Sequence, residues 1–334
     1  MKKNITLLLF PILLYCACAK EATDDLILSQ DDFFPLDSAI VIPSDYQYPE
    51  GATFKVLSWN VEHFVDEYDD PYIDSERENN PPENMPLRLG LLVKALRKAD
   101  ADIVVLQEFE GAKYLQKIAR DSLPEMNYRF FADIPSLNWY MNVIVMSRFP
   151  MGIAYGYGNA TTPLPDYIAD DGTVETQNHI NTRMLSINVY PSEKYSFLLT
   201  GVHLKAGRGE RNIAMRKGQI YLLQQVFNRI LHQTPEKNMI IAGDLNAIPN
   251  SEEISLLVNN RKLIKPFVDP LEPFILTHPS DSPSRRLDYI LVNENMSPET
   301  LDNSIQVTSF FSSDTMRIIS DHLPVVGVFS KKDN

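Results

Sequence analysis

Apolar and polar positions along the chain switch between period two and period 3.6. FKVLSW (54–59) and MLSINVY (184–190) alternate, the signature of half-buried strands. IVVLQ (103–107), VIVMS (143–147), SFLLTGV (196–202) and MIIAG (239–243) are short apolar runs of buried-strand length. YILV (289–292), IQVTSF (305–310) and PVVGVF (324–329) complete the predicted strands. Helical spacing appears twice. Leu87, Leu91, Leu92, Ala95 and Leu96 share one face behind Pro86, a residue suited to a helix start. Ile213, Ile220, Leu223, Phe227 and Ile230 do the same within 212–231. An acidic, Asn- and Pro-rich loop covers 66–86, and turn signals (TTPLPD, ADDGT) mark 156–182 as loop-like. Strands outnumber helices, and several consecutive ones are close enough to pair antiparallel. The pattern predicts an α+β fold, sheet packed on sheet with helices outside, as one domain over 51–334.

Composition narrows the class. With 44% hydrophobic and 22% charged residues over 334 positions, the chain is an ordinary globular protein; a collagen, a coiled coil or a largely disordered chain is excluded. Asp and Glu (44) outnumber Lys and Arg (31), giving −13. Such a surface gives no general help in holding a polyanion, so a nucleic acid or phospholipid would have to be gripped at a local, metal-charged site. The two cysteines are Cys16 and Cys18, which excludes an internal disulfide framework and a Cys-ligated zinc site.

Those cysteines close an N-terminal segment with Lys2 and Lys3 followed by ITLLLFPILLY, too short an apolar run to span a bilayer comfortably. Residues 1–17 resemble a bacterial lipoprotein signal, with cleavage before Cys18, lipid on its thiol, and Cys16 as the fallback. That implies an extracytoplasmic protein anchored to a bacterial membrane, the outer one on this reading. Residues 18–50, polar, acidic and Pro-containing, read as a tether.

Candidate chemistry stands at the strand ends. FKVLSW runs into Asn60, IVVLQ into Glu108, SFLLTGV into His203, and MIIAG into Asp244 with Asn246 beyond. Asp288 precedes YILV; Asp321 and His322 precede PVVGVF. In antiparallel sheets these ends can share one rim. Glu108, Asp321 and the Asn60 amide oxygen are hard donors that suit Mg²⁺. His203 and His322 can donate to a phosphate or move protons, Asp288 can orient an imidazole, and Asp244 with Asn246 can align a water. Taken singly, each has an ordinary explanation as a cap, turn or surface residue, and Asp288 could instead pair with Arg285 or Arg286.

SWNVEHF (58–64), VVLQEFEG (104–111), VIVMSRFP (143–150), TGVHLKAG (200–207), IIAGDLNAIPN (240–250), RRLDYILVN (285–293) and ISDHLPVVGVF (319–329) stand in the order found in the endonuclease/exonuclease/phosphatase superfamily, which the chain resembles over roughly 52–330. The resemblance implies a four-layer α/β/β/α sandwich of two mainly antiparallel sheets and divalent-metal-dependent phosphoester hydrolysis, with Mg²⁺ (or Mn²⁺) the expected cofactor; a monomer is expected. It implies metal-site roles for Asn60, Glu108 and Asp321, phosphate contact for His203, positioning of nucleophile and phosphate by Asp244 and Asn246, and orientation of His322 by Asp288. Arg183 and Lys205 are candidate substrate contacts. NWYMN (138–142) lacks the acid that pairs with the first catalytic His in the deoxyribonuclease I branch, and RRLDYIL departs from the inositol-phosphatase pattern. The expectation is an extracytoplasmic nuclease acting on DNA or RNA. The alternatives are hydrolysis of a small or lipid phosphoester, or a catalytically silent binding lipoprotein on the same fold.

Overall fold

The computed structural model describes residues 40–135, 139–180 and 183–333. The signal segment, both cysteines and residues 18–39 of the expected tether lie outside the described residues. The last part of that tether is not free chain: Tyr46 donates from its hydroxyl to Arg148 O (3.1 Å) and sets its ring against Phe130.

β1 (Thr53–Phe64) leads through α1 (Glu76–Asn79) and α2 (Met85–Ala99) to β2 (Ile103–Phe109). α3 (Ala112–Ser122) precedes β3 (Phe130–Asp133) and β4 (Asn142–Ser147). Then come β5 (Met151–Gly156), a ribbon of β6 (Thr162–Pro163) and β7 (Thr176–Gln177), β8 (Met184–Ser192) and β9 (Tyr195–His203). α4 (Glu210–Gln233), β10 (Met239–Asp244), α5 (Glu252–Ser255), β11 (Phe267–Val268), β12 (Asp288–Asn293), β13 (Gln306–Val307), α6 (Ser313–Ile319) and β14 (Val325–Ser330) follow.

Two six-stranded sheets result, ordered β13-β14-β1-β2-β4-β3 and β11-β12-β10-β9-β8-β5. Each has one parallel pair, β1 with β2 and β9 with β10, amid antiparallel neighbours. Period two explains the layers. Along β1, Phe54 and Val56 face the second sheet and join Leu199, Ile240 and Ile290 in the central core. Leu57 and Trp59 face the other way, onto Leu92 and Leu96 of α2 and Leu115 of α3. Truncating such a fully buried leucine to alanine costs about 2–5 kcal/mol. The expected α+β sandwich is the observed fold.

Several boundaries differ from the sequence reading. β1 runs on past Asn60 to Phe64, and β2 past Gln107 to Phe109, so Asn60 and Glu108 lie within strands rather than after them. The strand predicted over 305–310 shrinks to Gln306–Val307. α3, β3, β5 and α6 fall where no element was predicted. Helix α2 starts with Pro86 inside its first turn, as expected, and stops at Asp100, which adopts a left-handed φ of 44°.

Candidate active site

Both sheets bring their site residues to one open cleft of about 860 Å³, lined among others by Glu108, His203, Asp244, Asn246, His278 and His322. The second sheet builds its share on regular rungs. Asp244 closes β10 opposite Asp288, the first residue of β12, and beside His203, the last of β9. The preceding Gly243 has φ +151°, and a Cβ there would lie 1.9 Å from Val202 O. Only glycine lets β10 approach β9 this closely.

Asp244 is buried and anchored by three hydrogen bonds. Its Oδ1 accepts the Asn246 backbone N–H (2.8 Å). Its Oδ2 accepts the amide groups of Asn60 and Asn246, both at 3.1 Å. Burial pushes its carboxyl up to about 7, against the opposing pull of His322. Asn246, itself at a left-handed φ of 51°, also donates to Leu204 O (3.1 Å).

His322 lies 2.8 Å from Asp288 Oδ2 through Nδ1, and its Nε2 sits 3.9 Å from Asp244 Oδ2 and 3.8 Å from Asp321 Oδ1. Burial works against the imidazolium, but Asp288, Asp244 and Asp321 outweigh it and raise the group to about 10. Thr277 Oγ1 accepts the N–H groups of Leu287 and Asp288, fixing the start of β12. Neither arginine beside Asp288 pairs with it: Arg286 holds Asp269, and Arg285 donates to His278. Asp288 thus stands where it can hold the His322 imidazole in one orientation.

The first sheet reaches the cleft through a broken register. Pairing of β1 with β2 holds to Asn60 opposite Gln107, then lapses until Phe64 opposite Phe109. Glu62, His63 and Glu108 take left-handed φ of 51°, 50° and 59°. Such bulges re-aim side chains next to active sites. Arg88 of α2, buried, braces this one by donating to the carbonyls of Val61 (2.7 Å), Glu62 (2.6 Å) and Ile319 (2.8 Å).

Glu108 Oε1 accepts the Asn60 amide (3.1 Å), and Oε2 accepts the His63 N–H (3.1 Å). The Asn60 oxygen is taken by the N–H of Glu62 (3.0 Å). Here the Asn60 amide nitrogen faces both carboxylates, donating to Glu108 and Asp244, while its oxygen accepts from the backbone. Asp321 accepts on Oδ2 from His278 Nε2 (3.3 Å), and its N–H donates to Glu62 Oε2 (3.0 Å). Burial alone would raise Asp321, but the His278 hydrogen bond and nearby positive charge bring it down to about 2.

His203 Nε2 stands 3.5 Å from Glu108 Oε1 and 3.9 Å from Asp244 Oδ2. Burial, with Arg183 and the other histidines nearby, holds it well below the usual imidazole range. Glu108 and Asp244 thus stand near His203 in a chain that lacks the branch-specific acid. The segment that would have carried that acid supplies Tyr140 instead, whose hydroxyl lies 2.5 Å from His63 Nδ1. Arg183 donates weakly to His203 O (3.4 Å), and Lys205 Nζ donates to Ala206 O (2.8 Å). Both flank the site without lining the cleft.

Sequence reasoning passed over His63, His278 and Arg285. His63 sits three residues after Asn60 in a stretch read as leaving its strand. His278 and Arg285 sit beside Ser- and Pro-rich turns that carry no periodicity.

A family described as the Endonuclease/Exonuclease/phosphatase family matches residues 57–322. The chain belongs to this family, whose members hydrolyse phosphoester bonds and generally use divalent metals. Among curated proteins none matches the chain significantly. Solved structures share its fold. D. rerio TDP2 complexed with single strand DNA product is 18% identical at a TM-score of 0.55, covering 84% of this chain and 100% of that one. The human Nocturnin catalytic domain with bound sulfate anion is 19% identical at 0.53, covering 84% and 95%. A family member from Bacteroides thetaiotaomicron is 14% identical at 0.56, covering 84% and 99%.

Proposed function

We propose that the chain is a divalent-metal-dependent phosphodiesterase acting on DNA or RNA, held outside the cytoplasm by lipid on Cys18. One observation carries the reading: carboxylates, imidazoles and amides from both sheets converge on a single open cleft. The donor set fits a hard cation. Glu108 keeps a partly exposed edge and Asp321 is half-buried, and Mg²⁺ takes one or two carboxylates while retaining waters or substrate phosphate. Glu108 and Asp321 would hold Mg²⁺ or Mn²⁺, which supplies positive charge to the phosphoryl oxygens.

The remaining work falls to the chain's own groups. Asp244, fixed by Asn60 and Asn246, accepts the proton of the attacking water. The water oxygen bonds to phosphorus, and the bond to the leaving oxygen breaks. His322, aligned by Asp288, delivers a proton to that oxygen from Nε2. His203 donates to a non-bridging oxygen. Among the described residues the cleft lining includes Arg208 and Arg285 and no Phe, Tyr or Trp, which suits a phosphate-rich strand better than acyl chains. The fold shared with a TDP2 that holds a single-strand DNA product supports the same reading.

The test is a substrate panel of plasmid, single-stranded DNA, RNA and bis-p-nitrophenyl phosphate, with Mg²⁺, Mn²⁺ or EDTA. Metal-dependent cleavage of nucleic acid is expected. Hydrolysis of the small diester alone would remove the nuclease assignment, and hydrolysis of nothing would remove the reading entirely.

A further inference from the structure

Arginines in this acidic chain mostly carry a carboxylate. Arg148, Arg211, Arg216, Arg286 and Arg317 are all paired within 3.1 Å. Arg285, like Arg208 in the same cleft, carries none. It lines the cleft beside His278 and His322, and among the described residues no carboxylate pairs with it. Its position is nonetheless fixed. Its carbonyl accepts the N–H groups of Thr277 and His278 (3.0 Å each), and its own N–H donates to His278 O (3.1 Å). Its Nε donates to His278 Nδ1 (3.2 Å).

That last bond sets an orientation. His278 accepts on Nδ1, so Nε2 carries the proton and donates to Asp321 (3.3 Å). The His278 ring also stands edge-on to His322, with centroids 4.7 Å apart. Asp321, His278 and Arg285 therefore form a chain that leads from the reacting centre to a guanidinium whose two terminal nitrogens have no partner among the described residues. A planar donor fork held this way matches a phosphate or carboxylate.

We propose that Arg285 is a second anion subsite, positioned by His278, which takes the phosphate adjoining the scissile one. The proposal rests on the reading of the cleft as a phosphoester site and names what that cleft selects: a substrate with two anionic groups one sugar apart rather than an isolated phosphodiester. His278 is a positioning residue here, and Arg285 a specificity residue. A phosphocholine-type headgroup fits poorly, because its quaternary ammonium would face the guanidinium.

The test compares thymidine 3′,5′-bisphosphate with thymidine 5′-monophosphate, titrated calorimetrically into the wild-type protein and into Arg285→Ala with Mg²⁺ present. The wild type should bind the bisphosphate about tenfold more tightly, the scale of one charge-assisted hydrogen-bonded contact. Arg285→Ala should lose that preference while keeping its affinity for the monophosphate within about twofold. Should the alanine variant not fold, Arg285→Gln is measured against the same criterion. Equal affinities in the wild type, or an equal loss for both ligands in the variant, would overturn the subsite. Because binding is read without turnover, failure to cleave nucleic acid removes the nuclease assignment and leaves this result to stand or fall by itself.

Discussion

On the second sheet the site residues stand on unbroken rungs, Asp244 opposite Asp288 and beside His203, whereas on the first the ladder lapses at the residues that reach the cleft. The side chains differ in the same sense: Asp244 and Asp288 are almost fully buried, while Glu108 and His63 keep 15% and 28% of their surface. Buried, paired groups suit proton transfer, because orientation is set before substrate arrives. A carboxylate on a bulge, with left-handed backbone costing about 1–2 kcal/mol, suits the holding of a cation that brings its own waters. The two rims thus divide the labour: one is preorganised at the expense of access, the other accessible at the expense of strain.

The severest challenge to this division is Asp244→Asn, which keeps the shape and removes the proposed base. A fall in kcat of about a thousandfold with KM little changed is expected in steady-state assays on bis-p-nitrophenyl phosphate. Gly243→Ala comes next. Its Cβ meets Val202 O, so β10 must move or the fold must loosen, and thermal unfolding should register a loss of about 3–4 kcal/mol together with activity.

A paired experiment sharpens the contrast. Asp288→Ala leaves the buried His322 without its partner and should cost about 1–3 kcal/mol, lowering Tm by a few degrees as activity falls. Glu108→Gly should also abolish metal-dependent activity, yet leave Tm within about 2 °C, since glycine relieves the left-handed φ that the strand break imposes. Equal Tm losses for the two would erase the distinction between the rims. The smallest expected effect is that of Arg88→Lys. It weakens the brace on the bulge by about 1 kcal/mol and should shift the apparent affinity for Mg²⁺, followed by the metal dependence of Tm, more than kcat.

The same contrast explains what could be read in advance. Asp244, Asp288 and His203 end or start short apolar runs of strand length, so those runs placed them at strand termini and the ladders put them together. Asn60 and Glu108 were singled out from sequence, but their strands continue to Phe64 and Phe109, because a bulge interrupts pairing without ending it and leaves no periodic trace. The Asn60 amide orientation depends on Glu62 N–H, a contact created by a left-handed backbone that composition does not encode. β3 and β5 escaped because edge strands are short and only half-buried, and their apolar content is correspondingly diluted. His278 and Arg285 lie on a β-bridge rather than a strand, joined by hydrogen bonds across a turn whose sequence reads as irregular.

Trp59 Nε1 donates to His322 O and Ser320 Oγ to Asn60 O, contacts that span 263 and 260 residues. The first and last segments of the candidate site therefore finish one another. A chain cut before Ser320 leaves Trp59 unsupported and Asp288 without an imidazole to hold, whatever else has folded. On the proposed function, any fragment lacking residues 320–322 is therefore expected to be inert rather than partly active.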